Sequence, residues 1–201
     1  MAPRLSFSLV LLGGILLAGC EEMSTTGPSS IPSQNADADG LETALIPASA
    51  PQKTFLAYIT GYTYWTNAPA SSTAIAMPVI HRSAGGQGTY ADPITLAVGR
   101  SKTGGKIKPD VPAGTRFYLE RLQVYAIVED VCGGGPCHTG YKGHPWFDVY
   151  VGGERTTAET AAACARSITR LQPVIMNPPP TFPVAAGELV ESNCKAVAAL
   201  D

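Results

Sequence analysis

Residues 111–153 read VPAGTRFYLERLQVYAIVEDVCGGGPCHTGYKGHPWFDVYVGG, and this stretch decides the fold. A Pro-Ala-Gly-Thr turn from Pro112 feeds a strand that carries Phe117 and Tyr118. A second strand, 123–128, runs into the acidic pair Glu129-Asp130. A loop bounded by Cys132 and Cys137 follows, then a third strand, 146–151, with Asp148 in its middle. Runs rich in β-branched and aromatic residues, punctuated by Gly and Pro, are strand signals. Alternation places Val124, Ala126, Val128 and Asp130 on one side of the second strand, and Tyr125, Ile127 and Glu129 on the other. On the third, Trp146, Asp148 and Tyr150 face one way and Phe147, Val149 and Val151 the other. Both faces are largely apolar, which suits a small closed barrel better than an open sheet with one wet face. Two carboxylates on neighbouring strand segments, flanked by Trp, Tyr and His, form a constellation able to act on a polar substrate.

Upstream, 55–65 (FLAYITGYTYW) reads as a strand with a bulge or bend at Gly61. The apolar run 74–80 is broken by Pro78 and reads as an edge or bent strand. The Gly-rich loop 81–89 lacks the spacing of a phosphate loop and opens no helix. His81 beside it reads as a hydrogen-bonding surface residue. Asp92-Pro93 starts a turn that leads to a strand at 94–98, and 100–110 reads as an exposed loop. Downstream, Thr156-Thr157-Ala158-Glu159 has capping-box spacing before an Ala-rich run, so a helix is expected over 157–167. A short strand at 173–176 precedes a segment whose prolines forbid regular structure.

The N-terminus sets the compartment. Arg4, an apolar stretch 7–18 and Leu17-Ala18-Gly19-Cys20 match a bacterial lipoprotein signal. Residues 1–19 are therefore expected to be removed and Cys20 to carry the lipid anchor, exporting the chain to the face of the bacterial cell membrane or outer membrane. Residues 20–52, rich in Ser, Thr, Pro and Ala, read as a flexible tether to a folded domain over 53–201. The remaining four cysteines allow three pairings in an oxidising compartment. The pairing favoured is Cys132–Cys137, closing the short loop, with Cys164–Cys194, tying the helix to the tail. Cys132, Cys137, His138 and His144 can also be drawn as a zinc site, but export favours the disulfide, so neither metal nor cofactor is expected. A formal charge of −2 with no clustered basic face argues against nucleic acid as a partner. No Gly-x-Ser-x-Gly elbow or Ser–His–Asp arrangement is present.

Four short motifs go further. Ala91-Asp92-Pro93-Ile94, Pro112-Ala113-Gly114-Thr115-Arg116, Val128-Glu129-Asp130 and Phe147-Asp148-Val149-Tyr150 resemble, in order and spacing, the three-Asp domain. That family builds a six-stranded double-psi β-barrel. It shares the barrel with A-type membrane-bound lytic transglycosylases and RlpA-like lipoproteins, and more remotely with barwin-like proteins, expansins and family 45 glycosidases. After Asp130 the transglycosylases carry a D-x-G-G-A-I-K-G loop, and here only the glycines remain, in Val131-Cys132-Gly133-Gly134-Gly135-Pro136-Cys137.

The resemblance implies an all-β fold: a small double-psi barrel with one C-terminal helix. It implies a partner in cell-wall polysaccharide, with peptidoglycan the natural neighbour of a tethered lipoprotein. If the chain is an enzyme, it implies lytic-transglycosylase or glycoside-hydrolase chemistry, with Asp130 as general acid, Asp148 assisting and Asp92 a third, more structural aspartate. Tyr62, Tyr64, Trp65, His144 and Trp146 are the candidates for stacking on sugar, each weighed against a place in the core. The alternatives are a non-catalytic carbohydrate-binding barrel or a structural envelope lipoprotein.

Overall fold

The computed structural model describes residues 50–134, 136–192 and 194; the expected signal, Cys20 and nearly all of the tether lie outside the described residues. Eight strands and one α-helix follow in the order β1 (Lys53–Tyr62), β2 (Ile94–Val98), β3 (Arg100–Thr103), β4 (Lys106–Pro109), β5 (Arg116–Leu119), β6 (Val124–Val131), β7 (Trp146–Tyr150), α1 (Ala158–Ile168) and β8 (Arg170–Met176). Six of the strands close a barrel in the order β1-β7-β2-β6-β5-β8. Two pairings, β1 with β7 and β2 with β6, are parallel, and the rest are antiparallel. Closure leaves no unpaired barrel edge and explains why β2 and β6 are buried along their whole length. The expected all-β barrel with a single late helix is the observed fold.

The barrel is filled by side chains rather than hollow. Phe117 and Phe147 sit 4.9 Å apart at their centroids, and Phe55 meets each edge-on at 6.3 Å. Ile59, Leu96, Val98, Val124, Val128 and Val149 are fully buried around them. α1 lays Ala161, Cys164, Ala165 and Ile168 against the barrel. Cys164 is bonded to Cys194 and Cys132 to Cys137, the favoured pairing.

Four local expectations need correction. Gly61 is no bulge: the β1–β7 register runs unbroken from Tyr58↔Trp146 to Tyr62↔Tyr150. A Cβ there would lie 2.9 Å from Ala165 Cα and 3.0 Å from Val151 Cγ1, so the glycine lets α1 approach. The helix starts one residue late. Thr157, not Thr156, is its N-cap and accepts from Thr160 N. Residues 100–110 form the β3–β4 hairpin rather than a loop, because Gly104 and Gly105 both take positive φ (58° and 79°), the geometry that a two-residue hairpin turn requires. Residues 74–80 form no strand. The N–H groups of Ala76, Val79 and Ile80 go to side-chain carboxylates of β6, and only Met77 N reaches a β6 backbone oxygen, that of Glu129.

Candidate functional site

The register partners Thr60↔Asp148, Asp148↔Ala97 and Ala97↔Asp130 set four residues in one row across β1, β7, β2 and β6. Directly opposed residues project to the same side of a sheet, so both aspartates flank the small Ala97. Two strand spacings put their Cα atoms roughly 9 Å apart. A bulge decides which carboxylate enters the row. Leu96 pairs with Val128, but the next residue, Ala97, pairs with Asp130 and skips Glu129. Simple alternation put Asp130 on the side of Val128. The inserted residue turns it to the side of Ala97, opposite Leu96 and Val128.

A cleft of about 340 Å³ opens over this row, lined by Tyr62, Asn67, Asp130, Gly133, Trp146 and Asp148 among others. Ala97 supplies its floor, and the Cys132–Cys137 disulfide borders it. Of the sequence candidates, Asp130, Asp148, Tyr62 and Trp146 meet here. Asp92, Tyr64, Trp65 and His144 do not line it. Trp65 instead donates its indole N–H to Gly153 O at 3.0 Å and packs edge-on against Tyr64. His144 borders a separate shallow surface with Phe55, Leu56 and Met176.

The two carboxyls differ in how they are held. Asp130 is 7% exposed and accepts three hydrogen bonds. Val131 N (2.8 Å) and Ala76 N (3.0 Å) reach Oδ1, and the Tyr62 hydroxyl (3.2 Å) reaches Oδ2. Burial raises its pKa and those donors oppose the rise. Asp148 accepts one such bond, from Thr60 Oγ1 at 2.8 Å, and Thr60 in turn accepts from the Trp146 indole N–H at 2.7 Å. Burial, only weakly opposed by Thr60 and reinforced by the Asp130 charge, pushes the Asp148 carboxyl up to about 6. The side chain with fewer donors is the one more strongly held neutral. The same burial, with both carboxylates nearby, raises the Tyr62 hydroxyl well above its usual range, so it stays a donor.

A second acidic cluster lies just across β6. Glu129, the bulged residue, is fully buried and accepts the N–H groups of Val79, Ile80 and His81 on Oε1. Its Oε2 meets His81 Nδ1 at 2.6 Å, and His81 Nε2 meets Asp92 Oδ1 at 2.8 Å. Burial would raise the Glu129 carboxyl, but His81 and the backbone donors outweigh it and lower it. Asp92 therefore serves this cluster and not the cleft. His81 is a bridging residue, not an isolated surface one. The sequence did hold a signal. A carboxylate within an otherwise apolar strand must find donors, and the chain has three histidines.

Residues 54–196 match the family model described as the DDB_G0273701 N-terminal domain, which spans nearly the whole barrel, α1 and both disulfides. A relative from Dictyostelium discoideum, the uncharacterized protein DDB_G0273701/DDB_G0273221, is 36% identical over 92 residues, covering 46% of this chain. The match takes in 37% of that protein's length. No solved structure matches the chain.

Proposed function

Because the chain belongs to the DDB_G0273701 N-terminal domain family, and the relative's name states no activity, we propose a function from the cleft itself: cleavage of a glycosidic bond in cell-envelope polysaccharide. The observation that carries the reading is the row Asp148–Ala97–Asp130 at the floor of one cleft with Trp146 and Tyr62 on its walls. A pair of carboxyls whose surroundings push their pKa values apart divides acid from base. Asp148, protonated up to its pKa of about 6, donates its proton to the leaving glycosidic oxygen. Asp130, bound by three donors, acts as the carboxylate that steadies positive charge on the sugar or takes a proton from the attacking hydroxyl. These roles reverse the expectation from motif position, which made Asp130 the acid. The reversal follows from burial of the Asp148 carboxyl, opposed by one hydrogen-bond donor where Asp130 has three. The Trp146–Thr60–Asp148 chain orients the acid, and the aromatic walls offer faces to a sugar ring.

Export and anchoring through Cys20 belong to the same proposal and would hold the cleft at the cell wall. Labelling with radioactive palmitate tests this, and a Cys20→Ser chain that keeps the label overturns it.

A non-catalytic, glycan-binding barrel is the second reading, favoured by one observation. All three hydrogen bonds to Asp130 tie neighbouring backbone and Tyr62 together, which is structural work on its own. Incubation with purified sacculi and a panel of other polysaccharides, followed by mass spectrometry of soluble products, separates the two. Fragments that vanish in Asp148→Asn support cleavage. No fragments from any substrate, or the same fragments from Asp148→Asn and Asp130→Asn, overturn it.

A further inference from the structure

The cleft does not end at Asp130. A second depression of about 270 Å³ shares Ala68, Asp130, Val131 and Gly133 with it and continues to Arg100 and Ile107, which belong to the β3–β4 hairpin. The hairpin pairs with no barrel strand, and its two strands form a sheet of their own. Between Arg100 and Pro109 it carries Arg100, Lys102, Lys106 and Lys108 and no acidic residue, in a chain whose formal charge is −2. The three lysines are exposed. Among the described residues the carboxylate ion pairs belong to His81 and Arg155, and no carboxylate lies within 4 Å of these lysines, the nearest in sequence being Asp110 at the base of the hairpin. Lys102 opposes Ile107 across the ladder, so both project to one side, and Arg100, two residues before Lys102, shares it. Ile107 is 45% exposed and Arg100 and Ile107 line the depression, so this face turns toward the groove. At the base of the hairpin Arg100 is fixed by Nε–H to Cys132 O (3.2 Å) and Nη2 to Gly133 O (3.3 Å), tying the hairpin to the disulfide loop that borders the cleft.

We propose that the β3–β4 hairpin is an anion-recognising extension of the cleft and that the polysaccharide it takes is an acidic one, bearing carboxylate, sulfate or phosphate groups along its chain. The proposal rests on the glycan reading above and adds the class of glycan. The charge arrangement favours a glycan over a nucleic acid. The Asp130 carboxylate at the cleft floor repels a polymer with a charge on every backbone link. It accepts one whose glycosidic bonds are neutral and whose anionic groups hang outside the cleft. Such a chain lays a neutral linkage between Asp130 and Asp148 while its next anionic group reaches Lys102 on the groove side; Lys106 and Lys108, which oppose Thr103 and Ser101 on the other side of the hairpin, add to its positive field. Exposed charges act over about 8 Å at physiological ionic strength, so this recognition weakens with salt while contacts inside the cleft do not.

Affinity electrophoresis of the full chain in gels holding matched pairs tests it: carboxymethyl cellulose beside hydroxyethyl cellulose, and dextran sulfate beside dextran. The expected result is that one anionic member at least is bound roughly tenfold more tightly than its neutral partner, and that added salt removes the difference. Lys102→Gln/Lys106→Gln/Lys108→Gln should remove it too. Arg121→Gln/Arg166→Gln/Arg170→Gln, with the same change in net charge far from the hairpin in sequence, should keep it. Equal retention of both members of each pair, or a preference that survives in the lysine variant, overturns the inference and leaves the glycan reading standing. A short DNA duplex held more tightly than every anionic glycan overturns the choice of polymer. Retention of none of these, together with no cleavage product from any polysaccharide, removes the glycan reading along with the inference.

Discussion

Asp148 shows how one buried side chain ties stability to pH. Its folded carboxyl titrates at about 6, against 3.8 for the free group. Between those values the folded chain holds a proton that the unfolded chain has lost, so stability falls as pH rises from about 4 to about 6 and stays reduced above. Asn has nearly the same shape and no charge. Asp148→Asn should therefore unfold later than the native protein at pH 8, by about 2 kcal/mol, with the gap closing near pH 4. Urea titrations at the two pH values check this, and equal stability at pH 8 would refute the buried-acid assignment. Cleavage by the native protein should fade as pH rises through about 6, because only protonated Asp148 can donate. Its partner Asp130 was legible in the sequence as a carboxylate at a strand end. Its direction was not, because the inserted residue Glu129 in β6 reverses the side on which Asp130 and Val131 lie.

β6 and the segment in front of it, 74–84, depend on each other. Glu129 and Asp130 together take the N–H groups of Ala76, Val79, Ile80 and His81, and Met77 N donates to Glu129 O. The segment is thus held by carboxylates and not by a ladder, and His81 completes the clamp. Burial lowers the His81 pKa, but the hydrogen bonds to Glu129 and Asp92 outweigh it, so the net shift is upward. A raised histidine contributes stability that is whole below its unfolded value of about 6.5 and is lost as pH rises through its folded value. Hydrogen exchange at Val79, Ile80 and His81, corrected for intrinsic rates, should show protection falling across that rise. In His81→Gln the dependence should flatten; a pH-independent native protein would remove the imidazolium from the clamp. Packing of α1 on β1 makes a simpler prediction. Gly61→Ala places a methyl within 3.0 Å of Ala165 and Val151. It should lower stability by about 1–3 kcal/mol with the fold intact, read from thermal melts. A loss below 0.5 kcal/mol would mean that α1 yields freely.

At the level of the chain, the two disulfides act on different loops. Cys164–Cys194 spans 30 residues and Cys132–Cys137 only 5. Loop-closure entropy gives about 3.6 kcal/mol for the longer and about 2 kcal/mol for the shorter. Cys164→Ser/Cys194→Ser should therefore cost more stability than Cys132→Ser/Cys137→Ser. The second should still disturb the cleft, since its loop borders the site and anchors Arg100. The reverse order in chemical denaturation would show that the short loop carries strain or packing beyond entropy. What could be read from the chain alone was whatever depends on neighbours in sequence. Apolar runs marked β2, β5, β6 and β7, the Thr156–Glu159 motif marked the start of α1 to within a residue, the cysteine count led to two disulfides, and two-sided apolarity pointed to closure. What required the folded barrel was whatever depends on register between distant strands: the row Thr60–Asp148–Ala97–Asp130, the bulge at Glu129, the bridge from Asp92 through His81, and the approach of Ala165 to Gly61. Strand propensity and alternation are local, whereas the partner that each residue meets is fixed only when six strands close on one core and the packing inside allows a single alignment.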